Sequence, residues 1–312
     1  MLAAFHSRAP GRGMMVGRSI WDAIIWSRML AGKPPRRRIS QAMKALGFPD
    51  SSAACGGTVT YRCMTTGSFA SGFASRAECG EPMHREENPL DRPPWSALTT
   101  SHAAFAVGNE LAWRYRPEYS PLSAVREVSA PCLQALSALM QPGEAVGLFG
   151  AEPTAASGDL IEVVHRPLEQ FVYEKRDVSA GAVKPLVLSE ADAPEMLALA
   201  KLTEPGPFAA RTVALGEYLG IRSDGRLIAM AGERMKFPGF TEISGVCTHP
   251  EHRGRGLAET LVRVLMRDIL DRGEVPFLHI FSDNVAAGAL YKKLAFTHRR
   301  SAVVSVLQRA AR

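Results

Sequence analysis

The chain has 312 residues, of which 46% are hydrophobic and 22% charged, an ordinary balance for a globular protein of about two domains. No stretch approaches the roughly 18 consecutive apolar residues that a membrane span needs, so no membrane partner is expected. The net charge of +6 is unevenly placed, because residues 1–80 hold 11 Lys and Arg against three acidic residues. A nucleic-acid-binding function is therefore disfavoured for the rest of the chain.

Cysteine usage indicates a reducing compartment. The chain has five cysteines, with no CxxC pair among them: Cys55, Cys63, Cys79, Cys132 and Cys247. Neither a disulfide framework nor a zinc site is indicated, and we expect a cytoplasmic protein without a metal.

Residues 1–82 are rich in Gly, Ser, Arg and Ala and show no sustained hydrophobic period, which predicts a disordered basic extension. The composition changes abruptly at Met83, in "MHREENPLDRPPW", which favours an upstream segment that precedes the true start. An organellar transit peptide and a nucleic-acid-binding arm are the alternatives that the composition leaves open.

Residues 83–180 predict a smaller N-terminal α/β subdomain. The apolar spacing in "TSHAAFAVGNELAWRY" suggests a helix, and "APCLQALSALMQPGE" predicts a helix that ends near Pro142. "AVGLFG" predicts a strand, and "LIEVVHRPLEQFVYE" predicts a strand followed by a helix.

Residues 181–312 predict one further α/β domain. Ser189, with Asp192 three residues on, suggests a helix start after a short strand. Asp224 and Gly225 suggest the turn of a β-hairpin. The full order is β-α-(α)-β-β-β-α-β-α-β, which predicts a mixed α/β sheet with helices on its faces.

The stretch "HPEHRGRGLAETLV" predicts an anion site. Small residues and two arginines lie between a strand and a helix whose apolar residues recur at four-residue steps, and a helix N-terminus presents unpaired N–H groups. The small residues allow an anion to approach the backbone closely. The pattern is neither a Walker loop nor a dinucleotide fingerprint. The residues of this cradle are Arg253, Gly254, Arg255, Gly256, Leu257 and Ala258.

These residues resemble a known family. Arg253-x-x-Gly256-x-Ala258 matches the [QR]xxGx[GA] signature of GNAT N-acetyltransferases, and "SDNVAAGALYKKLAF" is similar to their second motif. "TEISGVCTHPEHRGRG" is most similar to the FR47-like branch, and the resemblance covers residues 184–307 well. It implies the GNAT acyl-CoA N-acyltransferase fold. One departure is Ala295, where the family usually has glycine.

The resemblance also implies roles. Acetyl-CoA would be the co-substrate, with its pantetheine arm paired to the backbone of Val246, Cys247 and Thr248 and its pyrophosphate held in the Arg253–Ala258 cradle. Asn284 would hydrogen-bond the cofactor arm, and Tyr291 would donate a proton to the departing thiolate. The plainer alternatives are a half-buried helix residue for Tyr291 and a helix N-cap for Asn284. For Cys247, we favour a packing role over a nucleophilic one.

Glu242 is the candidate general base, because it precedes Arg253 by eleven residues, as in histone-modifying members of the family. Period-2 alternation would place Glu242 on one face with Ser244, Val246 and Thr248. A surface carboxylate or a water relay are the alternatives. His279 alternates with Leu278 and Ile280, so it faces away from them and could line the site.

The acceptor is less determined. Phe208, Arg211 and Thr212 lie where the family builds its acceptor wall, and Arg211 either pairs with a substrate carboxylate or is a helix-surface charge. The expected activity is acetyl transfer to a primary amine of a small molecule or amino acid, by a monomer or homodimer. A catalytically silent acyl-CoA-binding module and nucleic-acid binding through the basic N-terminus are the competing functions.

Overall fold

The computed structural model describes residues 88–150, 158–178 and 185–311. The predicted disordered extension, residues 1–82, lies outside the described residues. Among the residues that are described, no helix is both long enough and apolar enough to cross a membrane.

The described strands form one mixed sheet in the order β1-β2-β3-β4-β11-β5-β10-β9-β8-β7-β6. Their bounds are β1 (Ala106–Gly108), β2 (Ala112–Tyr115), β3 (Leu122–Val125), β4 (Ala145–Gly150), β5 (Leu160–Val172), β6 (Leu186–Leu188), β7 (Tyr218–Ser223), β8 (Arg226–Phe237), β9 (Phe240–Thr248), β10 (Val275–Phe281) and β11 (Thr297–Arg309).

Helices pack on both faces of the sheet. Their bounds are α1 (Pro93–Leu98), α2 (Ala130–Ala138), α3 (Ala193–Thr203), α4 (Leu257–Asp271) and α5 (Val285–Lys293). The four-residue apolar repeat of α4 is fully buried at Leu261, Leu265 and Ile269, against a core that includes Ile243 of β9 and Leu278 of β10. Helix α3 packs on the opposite face, through Met196 and Leu199, in a separate core with Cys247.

The predicted element order of the C-terminal region is confirmed from β6 to β11. The Asp192 carboxylate accepts the backbone N–H of Ser189 (2.9 Å), just ahead of α3. Asp224 and Gly225 join β7 to β8 with φ values of 51° and 77°, the left-handed pair that a tight hairpin turn requires.

Two predictions for the N-terminal region are wrong. The apolar residues of "TSHAAFAVGNELAWRY" form a short 3-10 turn and the hairpin β1–β2, because Ala103, Phe105 and Val107 follow a period of two as well as a loose helical one. The segment predicted as strand then helix is the single strand β5, which pairs with β11 along its length and with β10 over Leu168–Val172. Strand pairing there overrides the local pattern.

The sheet runs through both predicted regions. β5, from the N-terminal region, lies between β11 and β10 of the C-terminal region. The described strands therefore share one sheet, and a domain boundary near residue 180 stays a prediction.

Ala295 is held in a conformation that suits glycine. The Phe296 N–H donates to the Tyr291 carbonyl (3.0 Å) as α5 ends, and Ala295 between them has a φ of 62°. We therefore predict that Ala295→Gly raises the free energy of unfolding by about 1 kcal/mol.

Urea denaturation would measure this change. Ala289→Gly, at an exposed position inside α5, is the matched control and should lower the free energy of unfolding by about 1 kcal/mol. A loss of stability in both variants would contradict the assigned strain at Ala295.

Candidate functional site

Two neighbouring parallel strands part in the middle of the sheet. β9 pairs with β10 only where Phe240–Glu242 face Val275–Phe277. Beyond these three pairs β10 continues beside β5 to Phe281, and β9 continues beside β8 to Thr248. The backbone edge of residues 243–248 therefore faces a gap, without a strand partner on that side among the described strands.

A β-bulge at Gly245 bends β9 at this gap. Between the pairs Met230–Cys247 and Gly232–Ser244, β9 has two residues where β8 has one, and Gly245 has a φ of 64°. The extra residue moves Val246 to the α4 core with Ile243, while Cys247 packs on the α3 side. The predicted common face of Glu242, Ser244, Val246 and Thr248 is therefore wrong beyond Ser244.

The gap opens into a cavity of about 530 Å³, which is lined by most of the predicted site residues. The predicted residues that line it are Val246, Cys247, Thr248, Arg253, Gly254, Gly256, Leu257, Ala258, Asn284 and Tyr291. The predicted residues that do not line it are Phe208, Arg211, Thr212, Glu242 and Arg255.

The start of α4 forms an open anion cradle on the cavity wall. Gly254 and Gly256 have φ values of 76° and 75°, and an added Cβ would have no atom within 4 Å at either residue. Their backbone conformation requires glycine, and the space above their amides is open. The Arg253 Nε donates to the Thr248 carbonyl (3.3 Å). The Arg255 side chain points toward the Glu251 carbonyl and does not line the cavity.

Asn284 and Tyr291 line the same wall of the cavity, about two helical turns apart on α5. Asn284 is the N-cap of α5, because its Oδ1 accepts the N–H of Ala287 (3.1 Å). Its side-chain amide nitrogen remains available as a donor. The interpretation as an N-cap is therefore compatible with the predicted hydrogen bond to the cofactor arm. The Tyr291 ring packs against Phe296, and its hydroxyl has no hydrogen-bond partner among the described residues. Burial raises the pKa of Tyr291 well above its ordinary value, so the hydroxyl stays protonated and can donate.

Glu242 is fully buried at the base of the gap. Its carboxylate accepts two hydrogen bonds of 2.7 Å from Arg234 and one of 2.8 Å from Nδ1 of His279. Burial alone would raise the pKa of Glu242, but the Arg234 charge and the hydrogen bonds outweigh burial and hold the pKa at about 2. A carboxylate so weakly basic, with both oxygens engaged, does not fit the predicted role of direct general base.

Hydrogen bonds on both ring nitrogens fix the orientation of His279. Gln170 Nε2 donates to the Leu90 carbonyl (2.8 Å), and Gln170 Oε1 accepts from Arg299 (2.8 Å), which settles the orientation of this amide. Nε2 of Gln170 therefore donates to Nε2 of His279 (3.1 Å), and the ring proton lies on Nδ1, facing Glu242. The alternation around His279 placed it correctly on the cavity, but both of its ring nitrogens are engaged.

The three residues predicted for the acceptor wall do not line the cavity, and their role in acceptor binding stays a prediction. Phe208 packs edge-on against Tyr218 in the α3 core, and the Thr212 hydroxyl donates to the Tyr119 carbonyl (2.7 Å). Arg211 forms an ion pair with Glu190 (2.9 Å) and stacks on Tyr119, which supports its interpretation as a surface charge. The preceding segment, 203–207, lines the cavity instead.

Sequence reasoning missed Arg234, which lines the cavity from β8. The signal was an arginine inside the apolar run "LIAMAGERMKF", since a charged residue in a buried strand is rare unless it is paired. It also missed the apolar wall that Phe149, Leu168, Phe281 and Val304 form, because these residues come from four different strands.

Two other side-chain groups have plainer roles. Burial raises the pKa of the Cys247 thiol to about 11, which keeps it protonated and supports packing over a nucleophilic role. His249, Glu251 and His252 present three possible ligand atoms within 4.8 Å of one another on a surface turn. The His249 Nδ1 already accepts the Glu251 N–H (3.4 Å), and the absence of a metal stays a prediction.

We predict that Glu242→Gln lowers the free energy of unfolding by about 3–5 kcal/mol at pH 7, because it leaves the buried Arg234 without its counter-charge. The pKa of Glu242 is lower in the folded protein (about 2) than its ordinary value of 4.5. The stabilisation from the carboxylate is therefore fully present above about pH 5 and is lost as pH falls toward 2.

Urea denaturation of both proteins between pH 7 and pH 3 would show the difference in stability narrowing with acidification. A difference that stays constant over this range would contradict an ionised, ion-paired Glu242.

Comparisons with known proteins agree with this geometry. The family model FR47-like protein matches residues 218–304, which run from β7 into β11. The N-alpha-acetyltransferase RimI of Mycobacterium tuberculosis is 39% identical over 84 residues, 25% of this chain and 51% of that protein. The chain thus spans about half the length of that curated relative.

A solved structure covers far more of the chain. A protein from Novosphingobium aromaticivorans, assigned to the GNAT family as an acetyltransferase, is 38% identical with a TM-score of 0.68. The alignment covers 72% of this chain and 100% of that one. With a parted parallel strand pair, a glycine-containing helix start beside it and a full-length relative at this identity, the chain belongs to the GNAT family of acetyltransferases, in its FR47-like branch.

Proposed function

We propose that the protein is an acetyl-CoA-dependent N-acetyltransferase that acts on a primary amine of a small molecule or amino acid. One observation carries the proposal: a single cavity joins the open edge of β9, the amides at the start of α4 and the hydroxyl of Tyr291. The name of the M. tuberculosis relative, an N-alpha-acetyltransferase, supports an amine acceptor.

The cavity suits the long, jointed shape of acetyl-CoA. An unpaired strand edge binds an extended chain of amides as another strand would, and Val246, Cys247 and Thr248 offer such an edge to the pantetheine arm. The amides from Gly254 to Ala258, at the positive end of the α4 dipole, suit the pyrophosphate. Arg253 adds a positive charge there, and the free amide nitrogen of Asn284 is a donor for the arm.

The chemistry requires a proton donor beside the leaving sulfur and a path for the proton of the amine. Acetyl-CoA supplies a thioester, in which the C–N bond forms at the carbonyl carbon as the C–S bond breaks. Tyr291 gives its proton to the sulfur and recovers one from solvent, which leaves an amide and a free thiol. Because its pKa is raised, the hydroxyl of Tyr291 is fully protonated at the start of each cycle.

The proton of the amine leaves through water in the cavity. Glu242 and His279 have no free acceptor atom, and Glu259 is engaged with Lys293 (2.7 Å) and Arg263 (3.0 Å). Glu204 is the exposed carboxylate on the cavity wall, and its side chain has no ion pair with a described residue. It is placed to attract a cationic amine and to accept its proton through water. Cytoplasmic location and a monomeric or dimeric state remain predictions.

A screen of amines with acetyl-CoA, followed by detection of free thiol, tests the proposed activity. With any amine found, we predict that Tyr291→Phe lowers kcat by roughly 10²–10⁴-fold, the range for loss of a general acid, with little change in CoA affinity because the ring remains.

Tyr173→Phe is the matched control. Tyr173 is also buried and packs on Phe296, but its hydroxyl is hydrogen-bonded to the Asp177 carbonyl and it does not line the cavity. It should leave kcat unchanged. A Tyr291→Phe protein with normal kcat, measured where chemistry limits the rate, would remove Tyr291 from the mechanism. Tight CoA binding with no acetylated amine would instead favour the silent acyl-CoA-binding module.

A further inference from the structure

We infer that Arg234 selects the acceptor by binding a neutral carbonyl oxygen. The acceptor would be an amine whose carbon also carries that carbonyl group and an apolar side chain. This inference rests on the proposed function and names the substrate class of that same cavity. It moves acceptor recognition from Arg211, where the sequence suggested it, to a buried arginine on β8.

Arg234 has one donor nitrogen left over. Its side chain is only 7% exposed and lines the cavity. Nε and Nη2 both donate to the Glu242 carboxylate, at 2.7 Å each. Nη1 has no hydrogen-bond partner among the described residues. Since Arg234 lines the cavity, an oxygen atom of a ligand bound there is the partner that Nη1 fits.

The guanidinium is held rigidly in this pose. Two parallel hydrogen bonds fix its plane on Glu242, and Nδ1 of His279 fixes the carboxylate from another side. His279 is held in turn by Gln170, whose amide is oriented by the Leu90 carbonyl and by Arg299. A donor placed by such a chain of contacts loses little conformational entropy when a ligand binds.

The charge balance favours a neutral oxygen over a carboxylate. The positive charge of Arg234 is already matched by Glu242, and both groups are buried. A carboxylate bound at Nη1 would add a second negative charge beside the buried carboxylate of Glu242, which costs repulsion between the two charges and desolvation of the bound carboxylate. A carbonyl oxygen accepts the same hydrogen bond without either cost.

The surrounding wall suits an apolar group. Phe149 of β4, Leu168 of β5, Phe281 of β10 and Val304 of β11 line the cavity. Phe281 and Leu168 face the same side of the sheet as His279, since Leu278 and Ile280 pack with the α4 core on the other side. A ligand that carries an amine, a carbonyl group and an apolar side chain on one carbon would offer the amine to the exposed Glu204, the oxygen to Arg234 and the side chain to this wall.

Three amines of matched shape test the inference: leucinamide, leucine and 3-methylbutylamine, which lacks the carbonyl. With kcat/KM expressed per unprotonated amine, we expect the wild-type protein to acetylate leucinamide about 10- to 100-fold faster than 3-methylbutylamine, the range for one hydrogen bond from a charged donor. Leucine should fall below leucinamide. Equal use of all three would overturn the inference and leave the proposed function standing.

A useful variant removes the Nη1 donor of Arg234 without leaving the buried Glu242 carboxylate unpaired. In Arg234→Gln with Glu242→Gln, a neutral amide pair replaces the ion pair, and the preference for leucinamide over 3-methylbutylamine should fall to near one at unchanged CoA affinity. The matched control is Glu233→Gln with Arg272→Gln, an ion pair between β8 and the end of α4 that does not line the cavity. It should keep the preference.

If the neutral pair does not fold, Arg234→Lys keeps the charge beside Glu242 and removes Nη1, with the same expected loss of preference. A preference that survives in either variant would overturn the inference. A wild-type protein that binds CoA and acetylates no amine would overturn the proposed function and this inference together.

Discussion

Neighbouring parallel strands normally satisfy one another's backbone groups along their length, and β9 and β10 do so for only three residue pairs. Pairing with other strands keeps β9 and β10 apart beyond these three pairs. β10 follows β5 to Phe281, and the bulge at Gly245 bends β9 along β8. The open edge that results is a binding surface made of backbone, and the start of α4 and the whole of α5 are placed around it by the core beneath.

The Arg234–Glu242 ion pair lies where the strands begin to part. The base of the cavity is therefore formed by a hydrogen-bonded ion pair and not by apolar side chains. His279 and Gln170 continue this hydrogen-bond network from Glu242 to the carbonyl of Leu90. Buried ion pairs add little to stability compared with apolar residues, whereas breaking one is costly. An ion pair at this position therefore fits a role in recognition better than a role in folding.

The parts of the fold with a local cause could be predicted from the sequence. The Asp224-Gly225 turn, the apolar stripe of α4 and the glycines at its start are set by neighbours in the chain, and the family resemblance placed Asn284 and Tyr291 on the cavity. The parts that failed depend on distant partners. The bulge at Gly245 reverses the alternation used for Glu242, and its effect depends on pairing with β8. Arg211 lies outside the cavity because of Glu190 and Tyr119, which no sequence pattern connects to it.

The central claim, that the gap and the start of α4 together hold acyl-CoA, is tested most directly by calorimetric titration of CoA into Gly256→Glu. The control is Gly273→Glu, because both glycines have a φ of 75° and open space around an added Cβ, but only Gly256 lines the cavity. Both variants carry the same backbone strain, so a difference between them reports on the cradle itself. The account predicts that Gly256→Glu abolishes CoA binding while Gly273→Glu binds as the wild-type protein does. Equal affinity in the two variants would contradict it.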